Sequence, residues 1–227
     1  MSARKSAGAS GKSSASRADR AAHPYLPGLE DAVAALRAAE LVVYPTETFY
    51  GLGADPFSAV ALERLFAAKG REAGKTVALI AADTDSALAL AREVSPVARR
   101  LADMFWPGAL TLVLPARAGL PAEIVGSGGG IGVRVSSHPV ARALAAGLGH
   151  PLTATSANRA GEPPARTLDQ ARASLGDKVK VFLEGGTLDA ASPSTVVAVE
   201  NDSWRLIRAG AISEIQLAAA LSGEVLE

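Results

Sequence analysis

Cysteine is absent from these 227 residues, which excludes disulfides, thiolate nucleophiles and Cys-based zinc or iron–sulfur sites. Histidine occurs three times, too rarely for a His-rich metal centre. No apolar run approaches the ~18 residues of a membrane-spanning helix, and the N-terminus has no apolar core of a secretory signal. What remains is a chain with 48% hydrophobic and 20% charged residues, the composition of a soluble globular protein large enough for one substantial domain.

Charge balances to zero only over the whole chain. Residues 1–23 hold five of the 23 basic residues and one of the 23 acidic ones, so the remainder carries 18 basic against 22 acidic residues. A net-negative body is a poor general binder of nucleic acid, whose affinity rests on phosphate neutralisation. Basic residues gathered in a pocket there are better suited to a small anionic ligand. Residues 1–24 are Ser, Ala, Gly and Lys/Arg with almost no large apolar side chain. Such a segment cannot offset its ordering entropy by burial and reads as a disordered tail, with a basic RNA tether as the competing reading.

From Leu26 onward helical and strand-like patterns alternate. Helices are expected over Asp31–Ala39, from a Ser58 cap through Lys69, over Ser86–Phe105 with a break near Pro96, and from Pro139. Thr167-Leu-Asp-Gln170 and Ser213-Glu-Ile-Gln216 have capping-box form, so each should open a helix. Strands are expected at Leu41–Tyr44, Thr76–Ala81, Leu110–Leu114, Ile131–Val135, Pro151–Thr155, Val179–Leu183, Thr195–Val199 and Trp204–Ile207. This alternation predicts one α/β domain, residues 25–227, around a twisted mixed sheet with antiparallel pairing among the late strands.

Two glycine-rich stretches fail as nucleotide fingerprints. Gly70–Thr76 is one residue short of a P-loop, and it runs from helix to strand where a P-loop runs from strand to helix. Gly126–Gly132 feeds a strand instead of opening a helix, which makes it a surface loop or a lid. Three other stretches are better placed: Val43–Gly53, Lys69-Gly70-Arg71 with Lys75, and Thr153–Asn158. Each follows an apolar strand or amphipathic helix, where α/β domains place ligand groups. Alone, each has a plain alternative: cations answering a helix macrodipole beside the Gly70 cap, or turns made by Thr, Ser and Asn. Together they supply cations, hydroxyls and amides suited to one polyphosphate or carboxylate substrate.

In combination these segments resemble the YrdC-like family of threonylcarbamoyl-AMP synthases, in its short, single-domain form. The marks are Tyr44-Pro-Thr-Glu-Thr-Phe-Tyr-Gly-Leu-Gly-Ala-Asp55, the Lys-x-Arg of Lys69 and Arg71, and Trp106-Pro-Gly-Ala-Leu-Thr111. They continue with Gly132-Val-Arg-Val135, the Ser-x-Asn of Ser156 and Asn158, Ser194-Thr-Val-Val197 and Ile207-Arg-Ala-Gly210. One departure is a His that many relatives carry near the position of Ile80.

The resemblance implies a twisted mixed parallel/antiparallel sheet with flanking helices around a large, positively charged cavity. It implies synthesis of threonylcarbamoyl-AMP and pyrophosphate from L-threonine, bicarbonate or CO2, and ATP in the cytoplasm, for tRNA threonylcarbamoyladenosine. Lys69 and Arg71 would be catalytic. Lys69, Arg71, Lys75, Ser156, Asn158 and Arg208 would bind ATP, and Thr48, Arg134 and Ser194 would bind threonine. Mg²⁺ would ride on the phosphates, with no dedicated protein metal site. A downstream tRNA-modifying transferase would accept the adenylate, and a direct tRNA contact stays open. Two other readings are a non-catalytic YrdC-like double-stranded RNA- or tRNA-binding protein and a hydrogenase-maturation carbamoyl-transfer domain. The latter needs companion domains with Cys-rich zinc sites, which a Cys-free chain cannot supply.

Overall fold

The apolar strand signal at Val42 to Tyr44 becomes the inner strand of a small sheet because all three of its residues are fully buried. The computed structural model describes residues 26–70 and 76–222. The basic tail expected over 1–24 lies outside the described residues, as do Arg71 and Lys75.

Strand β1 (Val42–Tyr44) pairs antiparallel with β2 (Gly51–Gly53) and parallel with β8 (Val181–Phe182). With β7 (Thr155–Ser156) added against β2, these make a four-stranded sheet in the order β7-β2-β1-β8. The second sheet has six strands. They are β3 (Leu79–Ala81), β4 (Leu110–Pro115), β5 (Gly130–Val135), β6 (Leu152–Thr153), β9 (Thr195–Glu200) and β10 (Ser203–Arg208), in the order β10-β9-β4-β5-β3-β6. Parallel pairs β3/β5 and β4/β9 alternate with antiparallel pairs β4/β5, β3/β6 and β9/β10.

The single expected sheet is therefore two, and the expected strand Pro151–Thr155 is where they part. Leu152 and Thr153 pair with β3, whereas Thr155 pairs with Leu52 of β2. Thr153 joins the two sheets through its hydroxyl. It accepts from the Ala54 amide at 2.8 Å and donates to the Leu52 carbonyl at 3.1 Å.

Seven helices cover the sheets among the described residues: α1 (Leu29–Arg37), α2 (Ala59–Lys69), α3 (Thr84–Leu88), α4 (Pro96–Phe105), α5 (Pro139–Leu148), α6 (Leu168–Leu175) and α7 (Glu214–Ser222). Their starts follow side-chain chemistry. Ser58, Asp83, Ser95 and Thr167 each accept an amide N–H of the first turn, and both expected capping boxes form at Thr167/Gln170 and Ser213/Gln216. Gly70 closes α2 in the left-handed conformation, φ 61°.

Alternation along β3 divides the apolar interior. Leu79 joins the large cluster with Leu62, Leu65, Leu101, Leu112 and Val133, while Ile80 faces the smaller one with Val33, Leu36, Leu144 and Leu152 under α1 and α5. A side chain at position 80 is thus fully buried in an apolar layer.

Candidate functional site

Both sheets contribute walls to one cavity of about 920 Å³. It opens where strands run out into polar backbone: the turn after β1, the start of β2, the β7 strand, and the faces of β4, β5, β9 and β10. Thr48, Arg134, Ser156, Ser194 and Arg208, drawn from five separate segments, all line it. Arg92 and Arg205 add cations, and Glu200 is the acidic residue among its described lining.

The turn after β1 is organised by a hydroxyl. Thr46 is buried, and its Oγ1 donates to the Phe49 carbonyl at 2.7 Å while accepting the Thr48 amide at 3.1 Å. Its oxygen also lies 3.0 Å from Thr48 Oγ1. This is the local bonding by which a Thr side chain replaces sheet partners in a tight turn. It fixes the shape of the turn that carries Glu47 and Thr48.

Arg134 reaches the turn from β5. Its Nη1 donates to Glu47 Oε1 at 2.8 Å and to Thr48 Oγ1 at 3.4 Å. The side chains of Arg134 and Glu47 are 8% and 15% exposed, so this ion pair is largely withdrawn from water. Ser136 Oγ donates to the other Glu47 oxygen, and the His138 amide donates to Ser136 Oγ at 3.1 Å.

From β10 of the same sheet, Arg208 Nη2 donates to the Ser194 carbonyl at 2.8 Å and to Ser194 Oγ at 3.1 Å. Ser194 Oγ lies 3.0 Å from Thr111 Oγ1 on β4. Burial lowers the Arg208 pKa from its ordinary value, and the positive charge of Arg134 lowers it further. Two guanidiniums that repel across one hollow are both relieved by an anion placed between them.

Lys69 and Asn158 are not in the cavity lining. Lys69 is buried, and its ammonium donates to the Ser156 and Asn158 carbonyls at 2.7 and 2.8 Å, holding the β7 exit from behind. The Asn158 amide nitrogen donates to the Arg159 and Glu162 carbonyls at 2.9 and 2.7 Å, which fixes the side chain's orientation. Its Oδ1 is buried without a hydrogen-bond partner. An acceptor so placed can take a hydrogen bond from a donor, not from a phosphate oxygen.

Sequence reasoning assigned no role to Glu47, Thr111 and Ser136. Each lies within or beside a quoted motif, and the available signal was Arg134 itself, because an arginine in a buried strand requires a carboxylate partner.

Two mixed sheets with flanking helices and a cavity that both sheets line define an α/β fold. The model of the Sua5/YciO/YrdC family, described as "Telomere recombination", matches residues 34–210. The chain belongs to that family. It is 40% identical over 161 residues to the threonylcarbamoyl-AMP synthase of Nitrosococcus oceani, covering 71% of this chain and 87% of that one. It is 43% identical over 169 residues to the threonylcarbamoyl-AMP synthase of Chromohalobacter salexigens, covering 74% and 90%. The crystal structure of P. abyssi Sua5 complexed with L-threonine superposes with a TM-score of 0.81 at 32% identity over 85% of this chain, which spans 57% of that longer one.

Proposed function

We propose that this chain is an ATP-dependent L-threonylcarbamoyladenylate synthase of the nucleotidyltransferase type. It makes threonylcarbamoyl-AMP and pyrophosphate from L-threonine, CO2 or bicarbonate, and ATP, with residues 25–227 acting as one catalytic unit. The observation that carries the reading is the pair Arg134 and Arg208 facing one cavity that both sheets line.

The threonine amine adds to CO2 and loses a proton to give a carbamate. A carbamate oxygen attacks the α-phosphorus of ATP, and the bond to the β-phosphate bridging oxygen breaks as pyrophosphate leaves. Both reactants are anionic, so the protein's task is to hold them together and to spread the accumulating charge. Arg134 is the partner for the threonine carboxylate, presenting guanidinium N–H groups that Glu47 leaves unused, with Thr48 and Ser194 lining the same cavity. Arg208 and Ser156 face the nucleotide, with Arg71 and Lys75 assigned to its phosphates. Asn158 braces the turn after Ser156 through the Arg159 and Glu162 carbonyls, and Lys69 supports the Ser156–Asn158 backbone.

Mg²⁺ enters as part of the substrate, on the ATP phosphates. Among the described residues no three His, Asp or Glu side chains gather to hold an ion. No helix among them is long and apolar enough to cross a membrane, and a cytoplasmic location suits an enzyme serving tRNA. The adenylate is a mixed anhydride, so its consumer is a transferase that passes the threonylcarbamoyl group to tRNA.

The test is pyrophosphate release from ATP and bicarbonate with and without L-threonine, with the adenylate identified by mass. Threonine-dependent release is expected. Salt-sensitive RNA binding without pyrophosphate release would replace this reading with the non-catalytic one.

A further inference from the structure

Glu47 stands out because it turns a largely covered carboxylate, 15% exposed, toward an arginine that lines the cavity. Its Oε1 accepts from Arg134 Nη1 at 2.8 Å, and its Oε2 accepts from Ser136 Oγ. Ser136 is fully buried, and its hydroxyl is itself fixed by the His138 amide at 3.1 Å. Glu47 is therefore anchored at both oxygens, and it is not part of the cavity lining. Its carboxylate is thus turned to Arg134 and Ser136, behind the residues that line the cavity.

We propose that Glu47 is a positioning residue for threonine. Through Nη1 it sets the rotation of the Arg134 guanidinium, so that the remaining N–H groups meet the amino-acid carboxylate as a fixed fork. The proposal rests on the synthase reading above. Rotation matters because a guanidinium binds a carboxylate through two parallel N–H bonds in one plane. Held only by Thr48 Oγ1 at 3.4 Å, Arg134 would keep its charge and lose that plane.

The experiment compares wild type with Glu47→Ala, Glu47→Gln and Ser136→Ala in threonine-dependent pyrophosphate release, with KM measured separately for threonine and ATP. Thermal unfolding reports whether each variant is folded. Glu47→Ala should raise the threonine KM about tenfold to a hundredfold, the penalty of a misplaced binding group, with the ATP KM within about threefold of wild type. Glu47→Gln keeps an acceptor for Arg134 and should restore most of the threonine KM. Ser136→Ala, which removes one tether, should fall between and carries the test if Glu47→Ala does not fold. An unchanged threonine KM in Glu47→Ala and Ser136→Ala would overturn the proposal, as would an equal rise in both KM values. A folded Glu47→Gln as impaired as Glu47→Ala would overturn it too, since charge and not placement would then be what the site uses. A wild-type chain that releases no pyrophosphate with threonine refutes the synthase reading itself, which is a separate result.

Discussion

The Lys69 ammonium donates to the Ser156 carbonyl at 2.7 Å, joining the last turn of α2 to the exit of β7. A second bond reaches the Asn158 carbonyl at 2.8 Å, and the Ala160 amide returns one to the Lys69 carbonyl at 2.9 Å. The residue is 5% exposed, so these bonds form where water cannot substitute for them. Lys69 thus holds the backbone that places Ser156 on the cavity wall, which the proposed function gives to the nucleotide. Lys69→Met should lower the unfolding free energy by about 2–4 kcal/mol, the scale of charge-assisted bonds lost to buried carbonyls, and should raise the ATP KM. Urea unfolding checks the first outcome. A Met variant with wild-type stability and reduced turnover would assign Lys69 to charge on ATP alone.

Under the proposed function Arg208 faces the nucleotide and should bear on pyrophosphate. Its guanidinium is held by Ser194 on one side and is disfavoured as a cation by burial and by Arg134. Arg208→Ala should reduce pyrophosphate release about 10²–10³-fold, the size of effect seen when one preorganised donor is removed. Binding gives a check free of turnover. Pyrophosphate at a hundred times its Kd should stabilise the wild type by about 2.7 kcal/mol, visible as a higher Tm. At the same concentration Arg208→Ala should show a smaller shift, and an undiminished one would remove Arg208 from the anion site.

Local chemistry was legible where a side chain acts on its own neighbours. The Ser58 cap, the Gly70 stop and the capping boxes at Thr167 and Ser213 all sit where the residues indicated. The reading failed where a distant strand decided. Ala89 to Ser95 has helical composition, yet Ala91 bridges Ala116 and the Arg92 amide donates to the Pro115 carbonyl at 2.8 Å, so the chain follows β4 instead. The break expected near Pro96 within Ser86–Phe105 is accordingly wider than expected, running from the end of α3 at Leu88 to the start of α4 at Pro96. Pro151–Thr155 read as one strand because alternation gives no sign that Thr153 and Thr155 join different sheets. The site was legible as motifs and not as pairs. Glu47 and Arg134 are 87 positions apart, and no local pattern couples them.

Gly51 permits a close approach of Tyr44 to β2. A Cβ there would lie 2.9 Å from Tyr44 Cζ and 3.1 Å from its Oη. Tyr44 cannot yield, being fully buried with Oη donating to the Thr153 carbonyl at 2.8 Å. Burial also pushes its phenol pKa well above the usual value, keeping it a donor. Gly51→Ala should therefore destabilise by about 1–3 kcal/mol, the usual overpacking penalty. The urea midpoint should fall with the m-value unchanged. An unaltered midpoint would mean that β1 and β2 can separate without cost.

Stability should also depend on pH through His138, which caps α5. Its Nδ1 accepts the Val140 amide at 3.3 Å, an arrangement that requires the neutral ring with its proton on Nε2. Burial lowers the pKa below the ordinary 6.5, Arg142 lowers it further, and Glu47 opposes both. The unfolded chain then binds the proton more readily than the folded one. The His138 contribution is fully present above the unfolded value, is lost as pH falls from about 6.5 toward the depressed folded value, and is constant below that. His138→Asn keeps a capping acceptor and cannot titrate in this range. The difference in unfolding free energy between wild type and His138→Asn should shift against the wild type between pH 7 and pH 5. A difference that stays constant across that interval would show that His138 does not titrate differently on folding.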